Sequence, residues 1–477
     1  MSEAPTLSKQ IGGNEKFYKI SQKTPESRGC VPSRSNLNYP VPVSATRPLR
    51  LLVITYYWPP SGGAGVQRSL KFVKHLPALG VEPTVVTVDP ERGAYPVLDE
   101  SLLAEVPASV RVIHTDTSEP FGSYKKLTRR EQIPYGGFAN ESKTSFTQRL
   151  FKFVRGNFFL PDPRRGWNRH VLRAVAQLLA QGEQFDAVLT SSPPHSTQLI
   201  GLELKRRYGL RWVADMRDPW TDIYYQQELH QTAPARWLDA RYERQVLEQA
   251  DVVLTTSADT RRLLLGKSKK LATSKFHVIP NGYDESDFRQ PSAPSTDALL
   301  ITHTGTISET YHVQELLRAV ATCAQHHPAV PLRLRFVGKV SEGVRRQVAA
   351  AGLADCAEFL PFVPHQESVG YLLRSTALLM AIPDVPNNLG ILPGKVFEYL
   401  AARKPIICVG PAGSDADEIL RRCGAGQAFP YLSYDAMLAY LENLVAQWQT
   451  NPNLDLPGNA HTSYSRRALT EQLVTLL

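Results

Sequence analysis

"LRLLVITYYWPPSGGAGVQRSLKFVKHLPALG" (residues 49–80) carries the pattern that decides the fold. An apolar run (49–57) meets Trp58-Pro59-Pro60, then Gly62-Gly63-Ala64-Gly65, then an amphipathic stretch containing Arg68. The unbroken apolar run suits a strand buried on both faces, and the prolines and glycines end it. Strand, glycine-rich turn and helix together open a βαβ unit, which implies a parallel sheet.

The same alternation continues along the chain. Short apolar runs appear at 81–88, 110–115, 185–192, 210–216, 251–257 and 275–280, with helical stretches such as "HSTQLIGLELKRRYG" between most of them. "PNGYDESDFRQPSAPSTD" (280–297) is rich in turn formers, and alternation restarts at 298–305, 332–338, 357–363, 377–383 and 404–410. Strand–helix alternation predicts α/β structure with helices on both faces of a parallel sheet. A chain of 477 residues is too long for one core. We therefore expect two tandem Rossmann-like, doubly wound domains with a cleft between them. The expected boundaries are a disordered tail at 1–47, a first domain at 48–284 and a linker at 285–297. A second domain follows at 298–455, with a closing helix at 456–477. The tail is polar and aperiodic, which is the basis for expecting disorder.

Composition narrows the function classes. Hydrophobic content of 42% and charged content of 21% are those of an ordinary soluble protein. The five cysteines (30, 323, 356, 408, 423) form no CxxC pair, so neither a disulfide framework nor a zinc site is indicated. No apolar stretch reaches the ~18 residues that span a bilayer, and the N-terminus lacks an apolar signal core. A reducing, cytoplasmic location is expected. The net charge is +9, and residues 121–173 hold twelve Lys/Arg against three Asp/Glu. Such a field favours anionic partners. This region overlaps an interruption of the alternation at 117–165. There "FTQRLFKFV" places Phe146, Leu150, Phe151 and Val154 on one helical face and Arg149, Lys152 and Arg155 opposite. Two readings stay open: an anionic membrane surface as partner, with the protein peripheral on the inner face of the membrane, or a helix packed on its own domain with a solvated basic face.

Ligands of open parallel sheets bind at the carboxyl ends of the strands. Gly62 and Gly63 lie at such an end, where a backbone without Cβ can approach a phosphate, and Arg68 follows on the helix. The alternative is a tight turn with a surface arginine. In "NNLGILPGKVFEYLAARKPIICVG" (387–410), Lys395 falls at a helix start and Glu398 three residues on, on the same face. A carboxylate there can accept both hydroxyls of a ribose; the alternative is a surface ion pair of little consequence. "ADMRDPW" puts Asp215, Arg217 and Asp218 at another strand end, and His195 follows Pro193-Pro194 at a third. Asp215 and Asp218 are candidates for acid–base or positioning work there, Asp218 alternatively a helix cap. His195 is a candidate ligand-binding residue or a structural histidine. No His/Cys/Asp cluster has metal-ligand spacing.

"GGAG", "VIPNGYD", "HTGTI" and "PGKVFEYLAARKPII" together resemble the GT-B-fold glycosyltransferases, in particular the large retaining nucleotide-sugar family 4. "SSPPHSTQLIGLELKRRYGLRWVADMRDPWTD" and "FFLPDPRRGW" resemble a bacterial branch associated with surface polysaccharide. The resemblance covers roughly residues 49–477. It implies a nucleotide-diphosphate sugar as donor, a glycan or lipid-linked glycan as acceptor, no nucleic acid partner, and no cofactor or required metal. It implies that Gly62 and Gly63 face the donor diphosphate and sugar. Glu398 would bind the ribose, Gly305 and Thr306 would lie beside the diphosphate, and "FVGK" (336–339) and "FVPH" (362–365) would frame the base. The chain departs from the family pattern at three places. Gly390 stands where a first glutamate is usual. Thr306 and Tyr311 replace an arginine and a lysine, and Arg217 replaces a histidine. Lys395, Arg68 and Arg217 are then the cations expected to balance the diphosphate. Alternatives on the same fold are a nucleotide-sugar epimerase, a sugar phosphorylase, or a non-catalytic nucleotide-sugar binding protein.

Overall fold

The structure, a computed structural model, describes residues 47–118, 146–289 and 297–477. The expected tail, except Arg47, and much of the basic insertion lie outside these residues. Arg47–Leu477 form one unit carrying two sheets. The first holds β1 (Leu49–Ile54), β2 (Val81–Val88), β3 (Arg111–Thr115), β4 (Ala187–Ser192), β5 (Arg211–Met216), β6 (Val252–Thr255) and β7 (Phe276–Val278). Its order is β3-β2-β1-β4-β5-β6-β7, and its pairings are parallel. The second holds β8 (Leu299–Thr304), β9 (Leu332–Val337), β10 (Ala357–Leu360), β11 (Ala377–Ala381), β12 (Ile406–Val409) and β13 (Gly426–Phe429). Its order is β10-β9-β8-β11-β12-β13, also parallel.

Both sheets reverse strand order once, between β1 and β4 and between β8 and β11. Those reversals open crevices at the carboxyl ends of the strands, where ligands of such sheets bind. The central strands are apolar on both faces, as helix-covered strands must be. Leu51, Leu52, Val53 and Ile54 of β1 are all fully buried.

The chain crosses between the domains twice, and the crossings lie side by side. Ile279 packs in the first core, while Tyr283 packs in the second. Later, Leu456 and Tyr464 belong to the second core, while Leu469 and Leu473 join the first beside Val66 and Leu70. Tyr283 donates its N–H to the Tyr464 carbonyl at 3.2 Å, and Arg466 donates its N–H to the Tyr283 carbonyl at 2.8 Å. The first crossing thus falls at 280–283, ahead of the expected linker at 285–297. The closing helix, Arg466–Val474, is part of the first domain's core.

The amphipathic helix of the insertion spans Phe146–Phe158. Its basic face is not simply solvated. Lys152 is buried and donates to Glu228 at 2.9 Å, because the helix lies against residues 228–232.

Candidate functional site

At the first reversal, the loop after β1 is fastened on two sides. Gly62 donates its N–H to Val97 at 2.8 Å. A Cβ on Gly62 would come within 3.0 Å of the Asp99 Cβ, so this glycine permits close packing on residues 97–99. Gly63 has φ 80° and ψ −175° and caps the helix Ala64–His75. That conformation is essentially open to glycine alone. From the end of β5, Arg217 reaches over and donates to the carbonyls of Gly65 at 2.7 Å and Ala64 at 2.9 Å. Arg217 therefore braces the glycine loop, and its terminal nitrogens are engaged by backbone.

Arg68 and Asp215 were expected in separate roles, as phosphate ligand and acceptor-orienting acid. The structure instead joins them. The Arg68 guanidinium meets the Asp215 carboxylate at 2.9–3.0 Å, with side-chain exposures of 0% and 1%. Ser191 also donates to Asp215 at 2.8 Å, and Arg68 donates to the Pro280 carbonyl at 3.0 Å. A charge this deeply buried requires a partner, and each supplies the other's. The pair ties the helix Ala64–His75 to β5 and to the first crossing.

His195 opens the helix Ser196–Tyr208 and stacks on Trp220, with ring centroids 4.8 Å apart and planes 10° apart. Burial lowers its pKa, so the ring is neutral, and its Nδ1 is buried without a hydrogen-bond partner. The N-terminus of that helix is capped by Asp162, which accepts from the Ser196 N–H at 2.7 Å and hydroxyl at 2.8 Å. Asp218 is not a helix cap, since the next helical turns begin only at Tyr224. Its half-buried carboxylate makes no hydrogen bond among the described residues and acts on His195. Asp162 and, less strongly, Asp218 are the carboxylates whose charge acts on His195.

At the second reversal, Gly305 follows β8 with φ 95°, and Thr306 beside it is exposed. Lys395 donates to the Thr304 carbonyl at 2.8 Å, and a Cβ on Gly305 would lie 3.1 Å from its Nζ. Burial pulls the Lys395 ammonium down to about 8. Tyr399 fixes the two elements together, its hydroxyl accepting the Thr304 N–H at 2.9 Å. Glu398 is half-buried, and its carboxylate makes no hydrogen bond among the described residues. It acts on His365, whose pKa is raised by its bond to Asp287, 3.1 Å away, and further by Glu398. The lysine and glutamate form no ion pair within 4 Å, so the surface-pair alternative does not describe them.

Gly390 has a local cause. A Cβ there would lie 2.8 Å from Ser257 Oγ and 3.0 Å from Asp259 Cβ. The first domain occupies the space that a side chain at 390 would need. The seam is completed by Asp259 N–H donating to Asp415 at 2.8 Å and Asn387 donating to the Asp222 carbonyl at 3.1 Å.

Sequence pattern alone does not single out Asp162, Tyr399 or Arg466. Ser465, which caps the helix Arg466–Val474, was a readable sign of where that helix starts.

Residues 62–282 match the family model described as a glycosyl transferase 4-like domain. The first domain is thus similar to that family. No curated protein sequence matches the chain. Solved structures agree over nearly its whole length. A glycosyltransferase from Rickettsia africae superposes with a TM-score of 0.55 at 12% identity, covering 90% of this chain and 97% of the other. The sucrose-phosphate synthase of Thermosynechococcus elongatus gives 0.56 at 16%, covering 90% and 98%. The HepE protein of Anabaena, solved with UDP and glucose, gives 0.54 at 13%, covering 90% and 98%. At these identities the agreement establishes the fold, which is GT-B: two Rossmann-like domains in tandem.

Proposed function

We propose that this protein is a retaining glycosyltransferase of bacterial surface-polysaccharide synthesis. It moves a sugar from a nucleoside-diphosphate sugar to a hydroxyl of a glycan or lipid-linked glycan. The observation that carries this is Glu398: a half-buried carboxylate left without a hydrogen bond at the second reversal, one turn beyond Lys395. The ribose hydroxyls of the donor bond Glu398, and the diphosphate lies along Gly305 and Thr306 toward Lys395. The sugar points to the Gly62-Gly63 loop, and Asp218 beside neutral His195 receives the acceptor hydroxyl. Stabilising charge on the departing diphosphate is then the main catalytic effect. Solved neighbours of the same fold that hold UDP or UDP-glucose support the donor class.

Titration calorimetry with UDP, GDP and ADP tests this. Losing a hydrogen bond to a charged group removes about 1.5–3 kcal/mol, so Glu398→Ala should bind the preferred nucleotide about 10- to 100-fold more weakly with an unchanged melting temperature. Equal affinity in the mutant takes Glu398 out of the donor site. Transfer or donor hydrolysis by the wild-type chain separates an enzyme from a binding protein.

A membrane surface is proposed as a second partner. Phe158 is 74% exposed and Trp237 60% exposed, on the helices Phe146–Phe158 and Ala233–Gln249, which pack together. Apolar side chains presented within a basic region suit an anionic interface. Binding to phosphatidylglycerol vesicles should exceed binding to phosphatidylcholine vesicles and fall with salt, as the Debye length shrinks below ~8–10 Å. Phe158→Ser with Trp237→Ser should release the protein; equal sedimentation with both vesicles argues against this surface. Lys152 is unsuitable for such a test because it serves an internal ion pair.

A further inference from the structure

The cations expected at the diphosphate are largely committed elsewhere. Arg68 is neutralised by Asp215, and Arg217 is held by the Ala64 and Gly65 carbonyls. Lys395 remains, with one bond to a carbonyl and a pKa near 8. A diphosphate at this place would be short of positive charge.

Arg466 stands nearby with charge to spare. It is the first residue of the helix Arg466–Val474 and sits on the second crossing, pinned through its N–H to Tyr283. Two residues earlier, Tyr464 packs on Phe397 of the helix that carries Glu398, with ring centroids 5.6 Å apart. Three residues later, Leu469 enters the first domain's core. The Arg466 guanidinium therefore lies at the junction of both domains. Among the described residues it makes no hydrogen bond and no ion pair within 4 Å. The charged groups acting on it are Arg68, Arg217, Glu398 and Asp284. Asp284 is already shared by Lys71 at 2.9 Å and Lys74 at 2.7 Å. Burial and the two neighbouring guanidiniums lower the Arg466 pKa. Arginine stays protonated in proteins, so the consequence is an under-compensated cation.

We propose that Arg466 binds the diphosphate of the donor, taking the place of the missing family cations from the opposite domain. A ribose held by Glu398 brings its 5′-phosphates to the side where Arg466 acts on that carboxylate. The planar guanidinium suits two phosphate oxygens at once. Because its helix belongs to the first core, the bond also ties the nucleotide of the second domain to the first. The inference rests on the nucleoside-diphosphate reading above.

The test is titration of the full chain with inorganic pyrophosphate, with UDP, GDP and ADP, and with the matching nucleosides, for wild type, Arg466→Gln and Arg466→Lys. Arg466→Gln should weaken pyrophosphate and the preferred nucleoside diphosphate at least about tenfold while leaving the nucleoside nearly unchanged. Arg466→Lys should fall between, keeping the charge but losing the planar fork, and it provides the folded comparison where the glutamine variant is unstable. Pyrophosphate binding that depends on Arg466 without any nucleotide binding would keep the anion site and sink the donor reading. The proposal is overturned by variants that bind pyrophosphate and nucleotide as wild type does, by equal losses for nucleotide and nucleoside, or by a wild-type chain that binds neither anion.

Discussion

Asp215→Ala is expected to destabilise the protein by about 3–5 kcal/mol, the scale seen when one partner of a buried ion pair is removed. The Arg68 guanidinium, with no exposed side-chain surface, would keep only the Pro280 carbonyl and lose its counter-charge. Ser191 would lose its acceptor as well. The charge cannot escape to water without moving the helix Ala64–His75, whose Val66 and Leu70 are packed in the first core. Asp215→Asn should cost less, since it keeps the shape and an acceptor oxygen. Arg68→Met combined with Asp215→Leu should recover much of the loss, because no uncompensated charge remains. Urea denaturation of these three variants, and of Arg68→Met and Asp215→Leu singly, measures these differences, and the double-mutant cycle gives the coupling. An Asp215→Ala protein within about 1 kcal/mol of wild type would mean that the pair is not buried in solution. The result also decides how Asp215 is read. If it oriented an acceptor hydroxyl, the alanine variant would lose turnover with little change in stability.

That pair marks a limit of sequence reading. The strands were legible because each depends on a local run of apolar residues bounded by turn formers. "VEPTVVTV" became β2 over the same residues, and among the described residues twelve of thirteen strands lie within the apolar runs named above. The missing one, β13, is "GQAF", too short and too glycine-flanked to stand out from a turn. Two domains followed from alternation that stops and restarts. Charged residues at strand ends were legible only as positions. Arg68 and Asp215 are 147 residues apart in the chain, and nothing local says that one cancels the other. Arg217 looked like a ligand because the bond it makes is to backbone carbonyls, which every sequence has. Arg466 was invisible for the converse reason. Its importance comes from the crossing that returns the last helix to the first domain, a fact of topology and not of local pattern. Gly390 reads as a departure from the family in sequence and as a packing requirement in space, because Ser257 and Asp259 stand against it.

Gly63→Ala is expected to lower transfer at least ~100-fold, the scale for losing a positioning or electrostatic contact, while nucleoside-diphosphate affinity changes little. At φ 80° and ψ −175°, any side chain at Gly63 is strained, at a cost of about 1–3 kcal/mol. The loop can relieve that strain only by shifting its backbone. Gly62 cannot follow freely, being packed on Asp99 and bonded to Val97. The shift would fall instead on Ala64 and Gly65, the two carbonyls Arg217 holds. In the proposed reaction this loop faces the sugar and the departing diphosphate, so a displaced loop spoils alignment across the cleft. The nucleotide itself is assigned to Glu398, Gly305 and Lys395 on the other sheet, which explains why its binding should survive. Stability and turnover must be measured on the same preparation. A loss of turnover no larger than the loss of folded protein would show that Gly63 serves the turn alone. A folded variant that binds nucleotide but transfers at least ~100-fold more slowly would place the loop at the reacting centre.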